Sequence, residues 1–180
     1  SEYKNIVQQI IDHEIGNGEG ANFVIPRRFS AQCSGPTMES VCSIFRSLLE
    51  NEHGAYWTFL FYDGTSYIVG ASPERHISKI KNEVRMNPIS GTFRKHELTD
   101  PIERKIAFKA FLDNKKEIYE LFMVTDEELK IMCRLCQKGG FIIGPYLKEM
   151  SQLIHTEYLL VGKSDASLHE LIRQSMYAPT

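Results

Sequence analysis

At 180 residues, with 42% apolar and 24% charged side chains, the chain has the size and composition of one globular domain with its own core. A formal net charge of −2 with Lys and Arg scattered evenly excludes the basic stripe that nucleic acid or an anionic membrane surface would select. No apolar run is long enough to span a bilayer and the N-terminal segment is polar and acidic, so a cytoplasmic location is expected.

In chain order, Tyr3, Ile6, Val7, Ile10, Ile11 and Ile15 recur at helical spacing and predict a helix over 2–16, stopped by the glycines from Gly16 to Gly20. Phe23-Val24-Ile25 predicts a strand within 21–29, at an edge or a bulge because Pro26 lacks an amide hydrogen. A second helix is expected over 37–51 from Met38, Val41, Cys42, Phe45, Leu48 and Leu49, with Thr37 and Ser40 at its start. Short β-rich runs at 56–62, 66–70, 75–80 and 83–87, parted by turn residues, read as an antiparallel meander. Helical periodicity then covers 101–136 with a break at Asp113-Asn114, followed by strands at 141–143 and 158–161 and a helix at 167–174. The class is α+β with a largely antiparallel sheet flanked by helices. No linker splits the chain, and the last residues, 175–180, read as the entry to another element, so a longer natural polypeptide is expected.

The four cysteines at 33, 42, 133 and 136 are too few and too irregular for a disulfide framework, and reduced thiols are expected. Cys133 and Cys136 form a C-x-x-C, but no second Cys or His pair follows at metal-ligand spacing. Two half-buried helical cysteines are therefore the reading taken over a zinc or redox site.

Three places stand out for chemistry: the turn Ala71-Ser-Pro-Glu-Arg75, the loop Asn87-Pro-Ile-Ser-Gly-Thr92, and the carboxylates Glu117 and Glu120. Each alone is as readily a solvated turn, a strand exit or a solvated helix face. Together and in this order they resemble the chorismate-utilising enzymes, which include anthranilate synthase component I and the aminodeoxychorismate, isochorismate and salicylate synthases. Gly70-Ala-Ser-Pro-Glu-Arg75 is similar to the family's G-A-S-P-E-R, Pro88-Ile-Ser-Gly-Thr92 to its P-I-A-G-T, and Lys116-Glu-x-x-Glu120-x-x-Met123-x-x-Asp126 to its K-E-x-x-E-H-x-M-L-x-D helix. Cys136 falls on that motif's trailing cysteine. The resemblance runs nearly end to end and implies that residues 1–180 are part of a chorismate-binding domain.

It further implies chorismate as substrate, Mg²⁺ on its ring carboxylate, and a nucleophile added at ring carbon two as the hydroxyl leaves carbon four. Hydroxide leaves poorly without a proton, which makes Glu74 the expected acid. Glu120 falls on the family's metal ligand, and Glu117, three residues earlier on the same helical face, either assists or is a solvated carboxylate. Ser90, Gly91 and Thr92 are expected to meet a substrate carboxylate through backbone N–H groups, and Thr180 falls on a threonine thought to touch substrate. Asn22 stands where water-using members carry a lysine base, which points to ammonia and hence to a glutamine amidotransferase as partner chain or fused domain. His155 and Tyr158 occupy the places of two histidines associated with pyruvate elimination. His155 reads either as catalytic or as a satisfied structural residue, and Tyr158 is a far weaker base than histidine, so the reaction is expected to stop at 2-amino-2-deoxyisochorismate. The strings around 87–92, 126–130, 144–150 and 155–158 are most similar to the aminodeoxyisochorismate synthases of phenazine biosynthesis. Anthranilate formation and a non-catalytic chorismate-binding remnant remain the alternatives, and open strand edges suggest a homodimer.

Overall fold

A computed structural model describes residues 2–20, 23–32, 35 and 37–176, which fall into two compact units divided after Pro36. In the first, helix α1 (Glu2–Gln9) runs into a π-helical turn, Ile10–Ile15, and the chain leaves the helix through Gly18 at φ 78°. The expected strand is not formed: residues 23–32 are irregular, with 21 and 22 outside the described residues. Pro26 removes one ladder donor, and the Ile25 carbonyl accepts from the Tyr3 hydroxyl at 3.1 Å while Arg27 stacks on the Tyr3 ring. The segment is tied to the helix by side chains where a strand would need a neighbour.

In the second unit, Thr37 caps α2 (Met38–Asn51) through a reciprocal pair of bonds with Ser40, an arrangement that stabilises a helix start by about 1 kcal/mol. Strands β1 (Trp57–Tyr62) and β2 (Tyr67–Ser72) form a separate two-stranded sheet. Strands β3 (Arg75–Ile80) and β4 (Glu83–Asn87) form a hairpin in a five-stranded sheet with β5 (Ile89–Arg94), β6 (Gly140–Glu149) and β7 (Leu153–Lys163). The meander expectation is thus corrected. The chain changes sheet at Ser72-Pro73-Glu74, and the neighbour of β4 on its far side is β7, far along the chain.

The expectation of a loop at 87–92 is corrected as well. Ile89–Arg94 is a strand paired with Leu153–Glu157, and its ladder slips by one residue between Ser90 and Thr92, where Gly91 takes φ 62°. β6 lies on the other side of β7 and leaves the outer edge of the sheet open, with Phe141, Ile142, Tyr146 and Leu147 exposed.

Helices α3 (Pro101–Leu112) and α4 (Lys115–Leu135) break where the sequence predicts, with Asn114 capping α4. Ser167 caps α5 (Leu168–Ser175) in the same manner. The core is the seam between the sheet and the helices: Val84 and Met86 of β4, Leu160 of β7, Ile131, Met132 and Leu135 of α4, Cys136 just after it, and Leu171 of α5. Cys136 is buried and Cys133 exposed, both free, so the half-buried pair is in fact one core thiol and one surface thiol.

Gly162 is glycine because α4 leaves it no room: a Cβ there would lie 2.6 Å from Cys136 Sγ and 3.1 Å from Met132 Cε. Glu128 departs from the apolar pattern of this seam. It is 1% exposed, and burial, with a smaller contribution from Glu74, pushes its carboxyl up to about 8 from an ordinary 4.5.

Two outcomes follow. Gly162→Ala is expected to lower stability by about 1–3 kcal/mol in urea unfolding. Because the folded state holds the Glu128 proton more tightly than the unfolded chain does, this residue's contribution to stability is complete below about 4.5 and is lost as pH rises through about 8. Thermal unfolding across that window should show a shallower loss in Glu128→Gln.

Candidate functional site

The turn between β2 and β3 is built by Ser72, whose hydroxyl donates to the Glu74 carbonyl at 2.9 Å. This fixes the place where the chain leaves one sheet for the other and leaves the Glu74 side chain half-buried at the junction. Burial pushes its carboxyl up to about 7, with the charge of Glu157 adding to the rise, while the Ile89 backbone N–H aimed at it works the other way. Arg75 is anchored on the Asn87 side-chain carbonyl by Nε at 2.8 Å and by its second nitrogen. The turn is therefore locked to the end of β4, two residues before Ile89.

Along β5 the slipped ladder turns Gly91 toward the helices. A Cβ there would meet Thr156 Oγ1 at 3.1 Å and Glu117 Oε2 at 3.2 Å, so the glycine of one motif and the carboxylate of another are in direct proximity. Ser90 is 8% exposed; its hydroxyl has no partner among the described residues, while its carbonyl accepts from Thr156. Thr92 Oγ1 lies 3.2 Å from His155 Nδ1, which donates to the Gly91 carbonyl at 3.1 Å. That bond uses Nδ1 as the donor and leaves Nε2 buried and unpartnered among the described residues. His155 is 7% exposed and thus holds the bulge in place, while keeping one ring nitrogen free.

On α4, Lys116 sits between the two candidate metal carboxylates, 3.1 Å from Glu117 Oε1 and 2.9 Å from Glu120 Oε2. Both carboxylates therefore converge on one cation. Such an oxygen-donor pair fits Mg²⁺, which commonly takes only one or two protein carboxylates. No cluster of three or more His, Cys, Asp or Glu side chains that could hold a metal is found among the described residues. Glu117 also lines a largely apolar cavity of about 390 Å³ between α3, α4, β6 and β7, together with Phe111, Leu121, Pro145, Thr156 and Tyr158.

The fold thus gathers Glu74, Ser90, Gly91, Thr92, Glu117 and His155 around β5, with Glu120 joined to Glu117 through Lys116. Asn22 and Thr180 lie outside the described residues. The sequence reading missed Tyr56, Lys148 and Glu157. The Tyr56 hydroxyl donates to both oxygens of Glu157, at 3.3 and 3.1 Å, and its ring lies against the Arg75 guanidinium at 4.9 Å and the Lys148 ammonium at 3.7 Å. Burial, with Glu157 assisting, pushes the Tyr56 phenol up to about 12, so it stays a donor. A signal for Glu157 was available: its two-residue spacing from His155 in a strand puts both on one face. Glu128 was legible in the same way, four residues after Val124 and three before Ile131 on a helix.

Comparison with known proteins places this geometry. The family model described as chorismate binding enzyme matches residues 1–180. A protein of Pseudomonas chlororaphis named anthranilate synthase, phenazine specific, is 51% identical over 178 residues, covering 99% of this chain and 28% of that protein. The chain thus spans little more than a quarter of that relative. Among solved structures, one from Bacillus anthracis described as a 2,3-dihydroxybenzoate-specific isochorismate synthase superposes with a TM-score of 0.67 at 21% identity, covering 81% of this chain and 40% of that one. Anthranilate synthase component I from Streptococcus pneumoniae does so with a TM-score of 0.59 at 19% identity, covering 74% and 29%. These two show a shared fold. With the ordered motifs gathered around one strand and the family model matched from end to end, the chain belongs to the chorismate binding enzymes.

Proposed function

We propose that the protein carrying this sequence adds ammonia to chorismate and releases 2-amino-2-deoxyisochorismate. The observation that carries the reading is Glu74, a half-buried carboxyl whose proton is held up to about 7, set where β2 gives way to β3 and facing the Ile89 amide. A carbon–nitrogen bond forms at ring carbon two while the hydroxyl on carbon four leaves as water, taking the Glu74 proton. The backbone of Gly91 and Thr92 receives a substrate carboxylate, with Ser90 beside it, and His155 holds that bulge through the Gly91 carbonyl. Mg²⁺ would be held by Glu120 and Glu117 and, when bound, neutralises the ring carboxylate.

Ammonia is favoured over water by Asn22, a neutral amide where water-using relatives of this kind carry a lysine, and it calls for a glutamine amidotransferase as fused domain or partner chain. Release before pyruvate elimination is supported by Tyr158, a phenol in place of the second histidine. The name of the Pseudomonas chlororaphis relative favours a second reading, anthranilate with loss of pyruvate. Residues 1–180 are then one part of the chorismate-binding domain.

Incubating the longest natural polypeptide that carries this sequence with chorismate, Mg²⁺ and ammonium, and analysing products by mass spectrometry, separates these readings. Aminodeoxyisochorismate is the expected product; anthranilate would replace the first reading with the second, and unchanged chorismate would leave a binding remnant. In the same protein Glu74→Gln is expected to lower turnover by roughly 10²–10⁴-fold with its circular dichroism spectrum unchanged.

A further inference from the structure

The proton on Glu74 needs a reason to stay there near neutrality, and burial is only the largest part of it. Glu157 and Glu74 meet at one backbone residue: Glu157 pairs with Ile89 across the β5–β7 ladder, and the Ile89 amide is the one aimed at Glu74. Glu157 is 9% exposed and is gripped on both oxygens by the Tyr56 hydroxyl. Tyr56 is in turn fixed by two cations on its ring, Arg75 and Lys148, and Arg75 is the chain neighbour of Glu74. Each link in this chain of contacts is short and ends on the same turn.

We propose that Glu157 is a positioning residue for the candidate acid: a carboxyl gripped by the Tyr56 hydroxyl and paired with Ile89 across the ladder, set where it disfavours a negative charge on Glu74. The role rests on the assignment of Glu74 in the proposed function and adds a residue to it. Tyr158, the next residue, does not share the role, since alternation along β7 turns it to the opposite face, into the cavity with Phe111 and Leu121.

The charged and titratable groups that face this corner come from five elements. Glu157 and, two residues away on the same face, His155 come from β7; Glu128 from α4; Arg75 from β3; Lys148 from β6; and the Tyr56 phenol from the segment ahead of β1. Glu128 has no partner for Oε2 among the described residues, and burial pushes its carboxyl up to about 8. Glu157 has a hydroxyl donor in Tyr56, whose ring carries the two cations Arg75 and Lys148.

The test is an infrared pH titration of the longest natural polypeptide carrying the sequence, with no substrate present, following the protonated-carboxyl band that disappears in Glu74→Gln. Wild type should lose that band with a midpoint near 7. Glu157→Gln should lower the midpoint by roughly half to one pH unit, Glu157→Asp should restore it, and Glu128→Gln should leave it in place. If Glu157→Gln titrates at the wild-type midpoint, or if Glu157→Asp is no different from Glu157→Gln, the positioning role is wrong. The band is read without chemistry, so a protein that passes this titration yet leaves chorismate unchanged would refute the proposed function and leave the coupling of the two carboxylates standing.

Discussion

The structure of the larger unit depends on the backbone pairing of β7. Its eleven residues bond to β6 along one side and to β4 and then β5 along the other, so one strand fixes the register of three. Since β4 and β5 follow one another directly along the chain, sharing a neighbour forces a bend at Asn87-Pro88, where the Pro88 carbonyl accepts from Tyr158 and Pro88 itself gives no donor. The slip at Gly91 is the second consequence. Both irregularities fall on the segment whose neighbours are Glu74, Glu117 and His155, so the candidate site is assembled where the ladder departs from regularity.

The helices could be read from the sequence because their instructions are local. Thr37 and Ser40 announce α2, Asn114 announces α4, and the apolar spacing from Ile118 onward continues to Leu135 with Thr125 and Glu128 as its polar members. The strands were legible as strands but not in their arrangement. Nothing in the span 57–87 reveals that the partner of β4 is β7, or that the turn holding Glu74 separates two sheets. β5 was hidden for a chemical reason: Pro88 and Gly91 are residues of loops, and only a partner that tolerates a bulge turns them into a strand. The N-terminal segment erred in the other direction, since Phe23-Val24-Ile25 has strand composition but spends the Ile25 carbonyl on a tyrosine hydroxyl.

The candidate site divides along the same line. Glu74, Gly91, Glu117 and Glu120 are recognisable because they lie in ordered motifs. Tyr56, Lys148 and Glu157 form a network spread over a hundred residues of sequence, and what connects them is a shared aromatic ring and a hydroxyl, neither of which leaves a spacing to detect. Their cluster is polar and half-enclosed, with carboxylates and cations in alternation, which is the setting in which a proton can be held away from its ordinary range.

The placement of Lys116 bears on how α4 survives with two acidic groups one turn apart. Its ammonium occupies the space between Glu117 and Glu120, so the helix carries its own counter-ion where mutual repulsion would otherwise splay the two side chains. With 72% of its side-chain surface in solvent, that ammonium is held by contacts that water and salt weaken, so the two carboxylates are paired with a cation that costs little to displace.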